Sequence, residues 1–236
     1  MGRLARRALV PETMDDPGLD RDQHRAALSS LARINRLSGS AGLVWGPIQD
    51  LSDQLQESSL RVLDVATGGG DIPIALWNRA RQAGVSLQIV GIDKSDLALD
   101  YARQQARASN AAVEFQTLDA VSDELPSGFD VSMCSLFLHH LSEEQAEQLL
   151  RKMSRCARHL VLVSDLRRCL RGWWLAYAAS RLFTSSEVVR TDACLSVSAA
   201  FSPEEALALA NRAGMNAPRI QRRWPLRFLL TAGSMR

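Results

Sequence analysis

Hydrophobic and polar positions along the chain change their rhythm at about residue 60 and again at about residue 166. Between those points, short apolar runs at 60–65, 86–92, 112–116, 129–134 and 160–164 read as strands. They are separated by stretches whose apolar residues recur every three or four positions. One passes through Ile74, Leu76 and Ala80 to Gly84, one is capped by Ser95 and passes Tyr101, and one is opened by Ser142 with Gln145 completing a capping box. Strands alternating with helices over more than 100 residues predict a parallel sheet covered by helices on both faces.

The two ends follow other patterns. Residues 1–15 lack periodicity and read as a mobile arm. Asp16-Pro17 offers an N-cap with proline at the first helical position, Leu28, Leu31 and Ile34 supply one apolar face, and Gly39 ends that helix. A loop, Ser38-Gly39-Ser40-Ala41-Gly42, leads past Trp45 to a second helix expected to open at Pro47, with Ile48, Leu51 and Leu55 on one side. After the sheet region comes a bulky apolar helix around Trp173, Trp174, Leu175 and Tyr177. A further helix starts at Ser202-Pro203-Glu204-Glu205 and closes at Gly214. Runs at 219–223 and 226–231, with Pro225 between them, suit an antiparallel hairpin at a sheet edge, where proline is tolerated. The expected organisation is an arm with lid helices over 1–59 and a main domain over 60–236, carrying an insertion at about 167–200.

Composition narrows the class. The 236 residues are 46% hydrophobic and 23% charged, which is ordinary globular usage and excludes a disordered or collagen-like chain. The 28 basic residues against 26 acidic give a net charge of +2, so a dedicated nucleic-acid binder is not expected. Cys134, Cys156, Cys169 and Cys194 are far apart with no C-x-x-C pair, a pattern of free thiols. With no long apolar span and no signal-peptide core, the reading is cytoplasmic.

The densest chemical signal is Asp64-Val65-Ala66-Thr67-Gly68-Gly69-Gly70-Asp71, three glycines between a strand and a helix. Missing side chains let a ligand approach the backbone, and in an open α/β sheet this turn marks the ligand crevice. Asp93 ends the next strand, 25 positions after Gly68, where a carboxylate can accept from both hydroxyls of a ribose. It equally suits the helix start ahead of Ser95. Asp119 brings another acid to the same edge after the third strand. A dinucleotide fingerprint would fall on Ala66, Gly68 and Asp71, and an acid at Asp71 would repel a pyrophosphate. A cofactor without phosphate meets no such repulsion.

As a set, these segments resemble the class I S-adenosylmethionine-dependent methyltransferases of the small-molecule branch acting on quinones, phenols and polyketides. The match runs over about 60–166, with Phe129-Asp130-Val131 opening the fourth strand; Ala66 stands where the usual first glycine would be. The resemblance implies a Rossmann-like α/β fold, a seven-stranded, mostly parallel sheet with helices on both faces and an N-terminal helical lid. It implies S-adenosyl-L-methionine as cofactor and S-adenosyl-L-homocysteine as product. The implied cofactor-binding residues are Asp64, Ala66, Thr67, Gly68, Gly70, Asp71, Asp93, Lys94, Asp119, Ala120 and Ser135.

Methyl transfer needs alignment of nucleophile, methyl carbon and sulfur, exclusion of water, and removal of a proton when the acceptor is a hydroxyl. His139 and His140, just past the fourth strand, are the candidate catalytic residues, His139 being favoured to face the methyl group; a purely structural role for the pair is the competing reading. Trp45, Phe137, Trp173 and Arg181 are the expected acceptor contacts. The aromatic side chains, which ordinary core packing would also explain, suggest a planar hydrophobic acceptor, phenolic or polyketide-derived, with O-methylation favoured. No metal is expected, because no third ligand stands near the two histidines in sequence. His24 reads as a solvent-facing helix residue. The competing functions are an RNA or protein methyltransferase using the terminal arginines, and a cofactor-binding partner protein without catalysis. A homodimer is left open.

Overall fold

The computed structural model describes residues 4–16, 18–56 and 59–234. Seven strands form one sheet: β1 (Ser59–Val65), β2 (Ser86–Asp93), β3 (Val113–Thr117), β4 (Phe129–Ser135), β5 (Ala157–Leu166), β6 (Asn216–Arg223) and β7 (Arg227–Gly233). Their order is β3-β2-β1-β4-β5-β7-β6, with β1 to β5 parallel and β7 inserted antiparallel between β5 and β6. The expected hairpin is present, and the proline-bearing β6 is the edge strand. Strand order reverses between β1 and β4, and at such a switch point the carboxyl ends of neighbouring strands part to leave a crevice.

Helices α1 (Arg21–Leu37) and α2 (Ser40–Leu55) precede β1. Next come α3 (Asp71–Gln82), α4 (Asp96–Ala108) and α5 (Glu143–Cys156), each between parallel strands, and α6 (Leu170–Leu182), α7 (Glu187–Ala199) and α8 (Pro203–Arg212) follow β5. The two-residue period of the strands sorts side chains to opposite faces. On β5, Val161 and Val163 pack with Leu149 and Met153 of α5 and Leu209 of α8, while Leu162 joins Val44 and Ile48 of α2 and Leu76 of α3. With both faces covered, the central strands carry unbroken apolar runs instead of alternation.

The chain ahead of β1 departs from expectation in three respects. Asp20 caps α1, accepting from the N–H groups of Asp22 and Gln23; Asp16 instead closes a turn by accepting from Gly18, and Pro17 lies outside the described residues. Helix α2 begins at Ser40, leaving Pro47 inside it. An interior proline costs about 3 kcal/mol, a penalty offset by burying Ala41, Val44 and Ile48 against the sheet. The described part of the expected mobile arm is strapped down. Arg168 donates to the Leu4 carbonyl, the Ala8 N–H to the Ser198 carbonyl, and the Thr13 and Met14 N–H groups to the two carboxylate oxygens of Asp192. Helix α7 has no counterpart in the sequence reading, because its Ser, Thr and Cys residues blur the apolar period. It packs Val188 and Val189 against Ala27 of α1.

Candidate active site

The turn after β1 is built from residues with left-handed backbone: Ala66 (φ +56°), Gly68 (φ +54°) and Gly70 (φ +72°). The glycines serve different ends. A Cβ on Gly70 would lie 2.8 Å from Ala102 Cβ and 2.9 Å from Phe115 Cζ, so this glycine lets α3 and α4 close on β3. A Cβ on Gly68 would meet nothing within 4 Å, so this glycine leaves open the space above the turn. The Gly68 N–H donates to Asp93 Oδ2 (2.8 Å) and the Ser95 N–H to Asp93 Oδ1 (2.9 Å), fixing that carboxylate against the turn. Beneath the turn the Thr67 hydroxyl donates to Asp64 Oδ2 (2.6 Å).

Three carboxyls therefore gather around one backbone turn. Burial pushes Asp64 up to about 7 against the Thr67 hydrogen bond, with Asp71 and Asp93 adding to the rise. Burial raises Asp71, opposed by a hydrogen bond from Asn35, and raises Asp93, opposed by the Ser95 and Gly68 N–H groups. Such a cradle suits a ligand bearing positive charge and repels a pyrophosphate. Near it, Arg227 is buried against Asn35, Ser38 and Ser40, and burial lowers its guanidinium to about 10.

One cavity of about 1070 Å³ runs from this turn to the histidine pair. Pockets for a single drug-sized ligand measure roughly 300–1,000 Å³, so its volume suits a cofactor and an acceptor side by side. Leu31, Ile34, Leu175, Phe183 and Val197 give the far side an apolar lining.

At that far end, His139 Nδ1–H donates to Asp165 Oδ1 (2.7 Å) and the His139 backbone N–H donates to Asp165 Oδ2 (3.1 Å). Burial would raise Asp165, but the charge and hydrogen bond of His139, then the Leu166 N–H and His140, hold it below the ordinary carboxylate value. His140 Nδ1–H donates to Asp15 Oδ2 (3.0 Å). Burial would lower His140; the hydrogen bond to Asp15 and the charges of Glu12, Asp15 and Asp165 raise it above the ordinary value. Glu12 closes the group, its carboxylate 3.7 Å from His139 Nε2 and 3.9 Å from His140 Nε2. Arg7 ties the strap to this point by donating to the His139 carbonyl (2.8 Å).

Residues 62–159 match the methyltransferase domain family. A demethylmenaquinone methyltransferase from Deinococcus radiodurans is 38% identical over 93 residues, covering 39% of this chain and 37% of that one. A ubiquinone biosynthesis O-methyltransferase from Idiomarina loihiensis is 28% identical over 127 residues, covering 51% and 48%. The chain thus spans about half the length, or less, of these curated relatives. An S-adenosylmethionine-dependent methyltransferase from Aquifex aeolicus shares the fold, with a TM-score of 0.61 at 18% identity, covering 92% of this chain and 100% of that one.

The fold brings most of the sequence-predicted residues to the cavity wall: Ala66, Thr67, Gly68, Asp71, Asp93, Lys94, Asp119, Ala120, Ser135, Phe137, His139 and His140. Asp64 and Gly70 stand behind the turn and shape it. Three expected acceptor contacts lie elsewhere. Trp45 falls within α2 and packs into the cluster between that helix and the sheet. On α6, Trp173 stacks on Tyr177, and Arg181 lies over the Tyr177 ring at 3.6 Å, because the cavity face of α6 is Gly172, Leu175, Ala176, Ala179 and Ser180. His24, expected in solvent, lines the cavity. Sequence reasoning missed Asp165, Glu12 and Asp15. Only Asp165, an acid at the end of an apolar strand, carried a readable signal. In sequence Asp192 reads as a polar group that could orient an acceptor, and Arg227 as one of the arginines for an acidic partner. Instead Asp192 holds the Thr13 and Met14 N–H groups, and Arg227 is buried against Asn35, Ser38 and Ser40.

Proposed function

We propose that this chain transfers a methyl group from S-adenosyl-L-methionine to a small hydrophobic acceptor, phenolic or polyketide-derived, with oxygen as the favoured atom. The single observation behind the reading is the continuity of the cavity: the Gly68–Asp93 cradle and His139, backed by Asp165, share one space with an apolar wall. The cofactor, when bound, supplies an electrophilic methyl carbon on a sulfonium sulfur.

The residues present fit that group. Asp93 has its outer lone pairs free to accept from ribose hydroxyls, and Gly68 leaves room above the turn. The Ser135 hydroxyl, buried at the wall, has no hydrogen-bond partner among the described residues. Asp71 at the wall, with Asp64 behind it, would offset the positive charge of a bound sulfonium, and Asp119, Ala120 and Lys94 would be available to its adenosine. On the acceptor side, Phe137, Leu175 and Phe183 exclude water and hold a flat apolar ring. Proton loss from its hydroxyl falls to the histidine cluster, where a carboxylate on Nδ1–H leaves His139 Nε2 as an acceptor.

The demethylmenaquinone and ubiquinone names of the curated relatives favour a phenol or quinol acceptor. The arginines of the RNA reading give it little support: Arg227 is buried, and Arg222 is paired with Glu204. We further read residues 1–59 and 167–200 as the segments that select the acceptor, since both reach the cavity while the cofactor cradle lies between them in sequence. The deciding experiment incubates the protein and labelled cofactor with phenols, quinols, polyketide pyrones and tRNA. Label on a phenol or quinol is expected. Label on tRNA alone, or no binding of S-adenosylmethionine, would reject the proposal.

A further inference from the structure

Both histidines of the cluster give Nδ1–H to a carboxylate, Asp165 for His139 and Asp15 for His140. Because a carboxylate only accepts, the neutral tautomer of each ring leaves Nε2 as a second acceptor. Both Nε2 atoms face Glu12, 3.7 and 3.9 Å from its two oxygens, and the three residues' ligating atoms lie within 4.8 Å of one another. Three lone-pair groups converge where, among the described residues, one donor is supplied to them, the Ser196 hydroxyl on Glu12. A cation at their common point resolves the conflict.

We propose that Glu12, His139 and His140 form a binding site for a divalent first-row transition-metal ion, of which Zn²⁺ is the natural probe. Ligands about 2.0–2.2 Å from a tetrahedral Zn²⁺ stand roughly 3.3–3.6 Å apart, so closing the observed gaps takes only small side-chain movements. Asp165 and Asp15 fix the rings as outer carboxylates do in carboxylate–histidine–metal triads. Three protein ligands leave a fourth position, and all three residues line the cavity, so that position opens to the acceptor.

The site stands on these five side chains; its consequence for the reaction rests on the methyltransferase reading. With the ion bound, a hydroxyl entering the open position would form an oxygen–metal bond and release its proton to solvent buffer, with His139 acting as a ligand; in the ion-free protein His139 Nε2 takes that proton itself.

The test uses the full chain, treated with a chelator and dialysed against Zn²⁺ or Co²⁺. We expect one ion per chain by elemental analysis, and Co²⁺ absorption bands of a four- or five-coordinate site. Glu12→Gln and His140→Gln should each weaken Zn²⁺ binding by at least roughly 100-fold, and Asp15→Asn by roughly 10–100-fold. Less than stoichiometric binding to the wild type would overturn the site. So would unchanged binding in folded Glu12→Gln, which would move the ion elsewhere. S-adenosylhomocysteine binding by the same samples reports their folding; should Glu12→Gln lose it, Asp15→Asn, altered at a half-exposed position, decides. Stoichiometric Zn²⁺ without methyl transfer would reject the reaction and keep the site, and methyl transfer without Zn²⁺ binding would do the reverse.

Discussion

Asp165 holds His139 at two points, accepting from ring Nδ1 at 2.7 Å with one oxygen and from the backbone N–H at 3.1 Å with the other. The pair is buried, so the ring can neither turn nor exchange its proton partner for water. His139→Gln should therefore cut turnover at least roughly tenfold, and up to the 10²–10⁴ that proton transfer can contribute. Cofactor affinity should stay unchanged, since Gly68 and Asp93 are untouched. Asp165→Asn keeps the volume but removes the carboxylate, and turnover should fall comparably while the melting temperature drops. Steady-state rates with calorimetric cofactor titration separate the effects, and unchanged turnover in His139→Gln would sink the assignment.

Gly68 and Gly70 should fail differently when given a side chain. Gly70→Ala drives a Cβ to 2.8 Å from Ala102 and 2.9 Å from Phe115, at a positive φ. A loss of stability of at least about 2 kcal/mol is expected, read as a lower denaturant midpoint. Gly68→Ala meets open space and bears mainly the left-handed backbone cost of roughly 1–2 kcal/mol. Its Cβ protrudes into the cavity, so weakened cofactor binding should be its larger effect. Equal stability losses with equal affinities in both variants would contradict this division.

The same residues mark how far sequence alone could reach. The strand–glycine–helix turn, Asp93 and the His139–His140 pair all lie within residues 62–159, where apolar period and local spacing determine geometry. Glu12 and Asp15 could not be found that way. They reach the histidines because Asp192, some 180 positions later, ties down the strand-less segment around Thr13 through backbone N–H groups, which have no side-chain signature, and Ser196 holds Glu12. The carboxylate that stands beside the two histidines was thus hidden by tertiary distance. Trp173 and Arg181 misled for the converse reason: a helix position says which residues share a face, and the cavity face of α6 is its small residues.

Asp192→Ala should release that strap. Thr13 and Met14 lose their acceptors, Glu12 and Asp15 leave the histidines, and one wall of the cavity opens to water. The core is not involved, so the global melting temperature should fall modestly while limited proteolysis cuts within residues 8–16. Turnover should fall with cofactor affinity nearly intact. Resistance to proteolysis equal to the wild type would show that the segment is held by other contacts, such as those of Arg7.

Asp64 makes both stability and cofactor binding depend on pH, with opposite signs. Its carboxyl is raised to about 7 in the folded chain, well above the roughly 3.9 of an unfolded one. Between about pH 4 and 7 the folded state therefore binds a proton that the unfolded state has lost, and stability of the ligand-free protein falls as pH rises through that window. Asp71 and Asp93, both raised by burial, act in the same direction. Asp64→Asn should flatten the slope and stabilise the protein above about pH 7. A cationic cofactor favours the ionised carboxylate, so its affinity should rise as pH passes 7, and that rise should shrink in Asp64→Asn. Melting curves and calorimetric titrations at about pH 5, 6, 7 and 8 would check both signs. An affinity for S-adenosylmethionine that falls with rising pH would show that Asp64 does not carry the linkage.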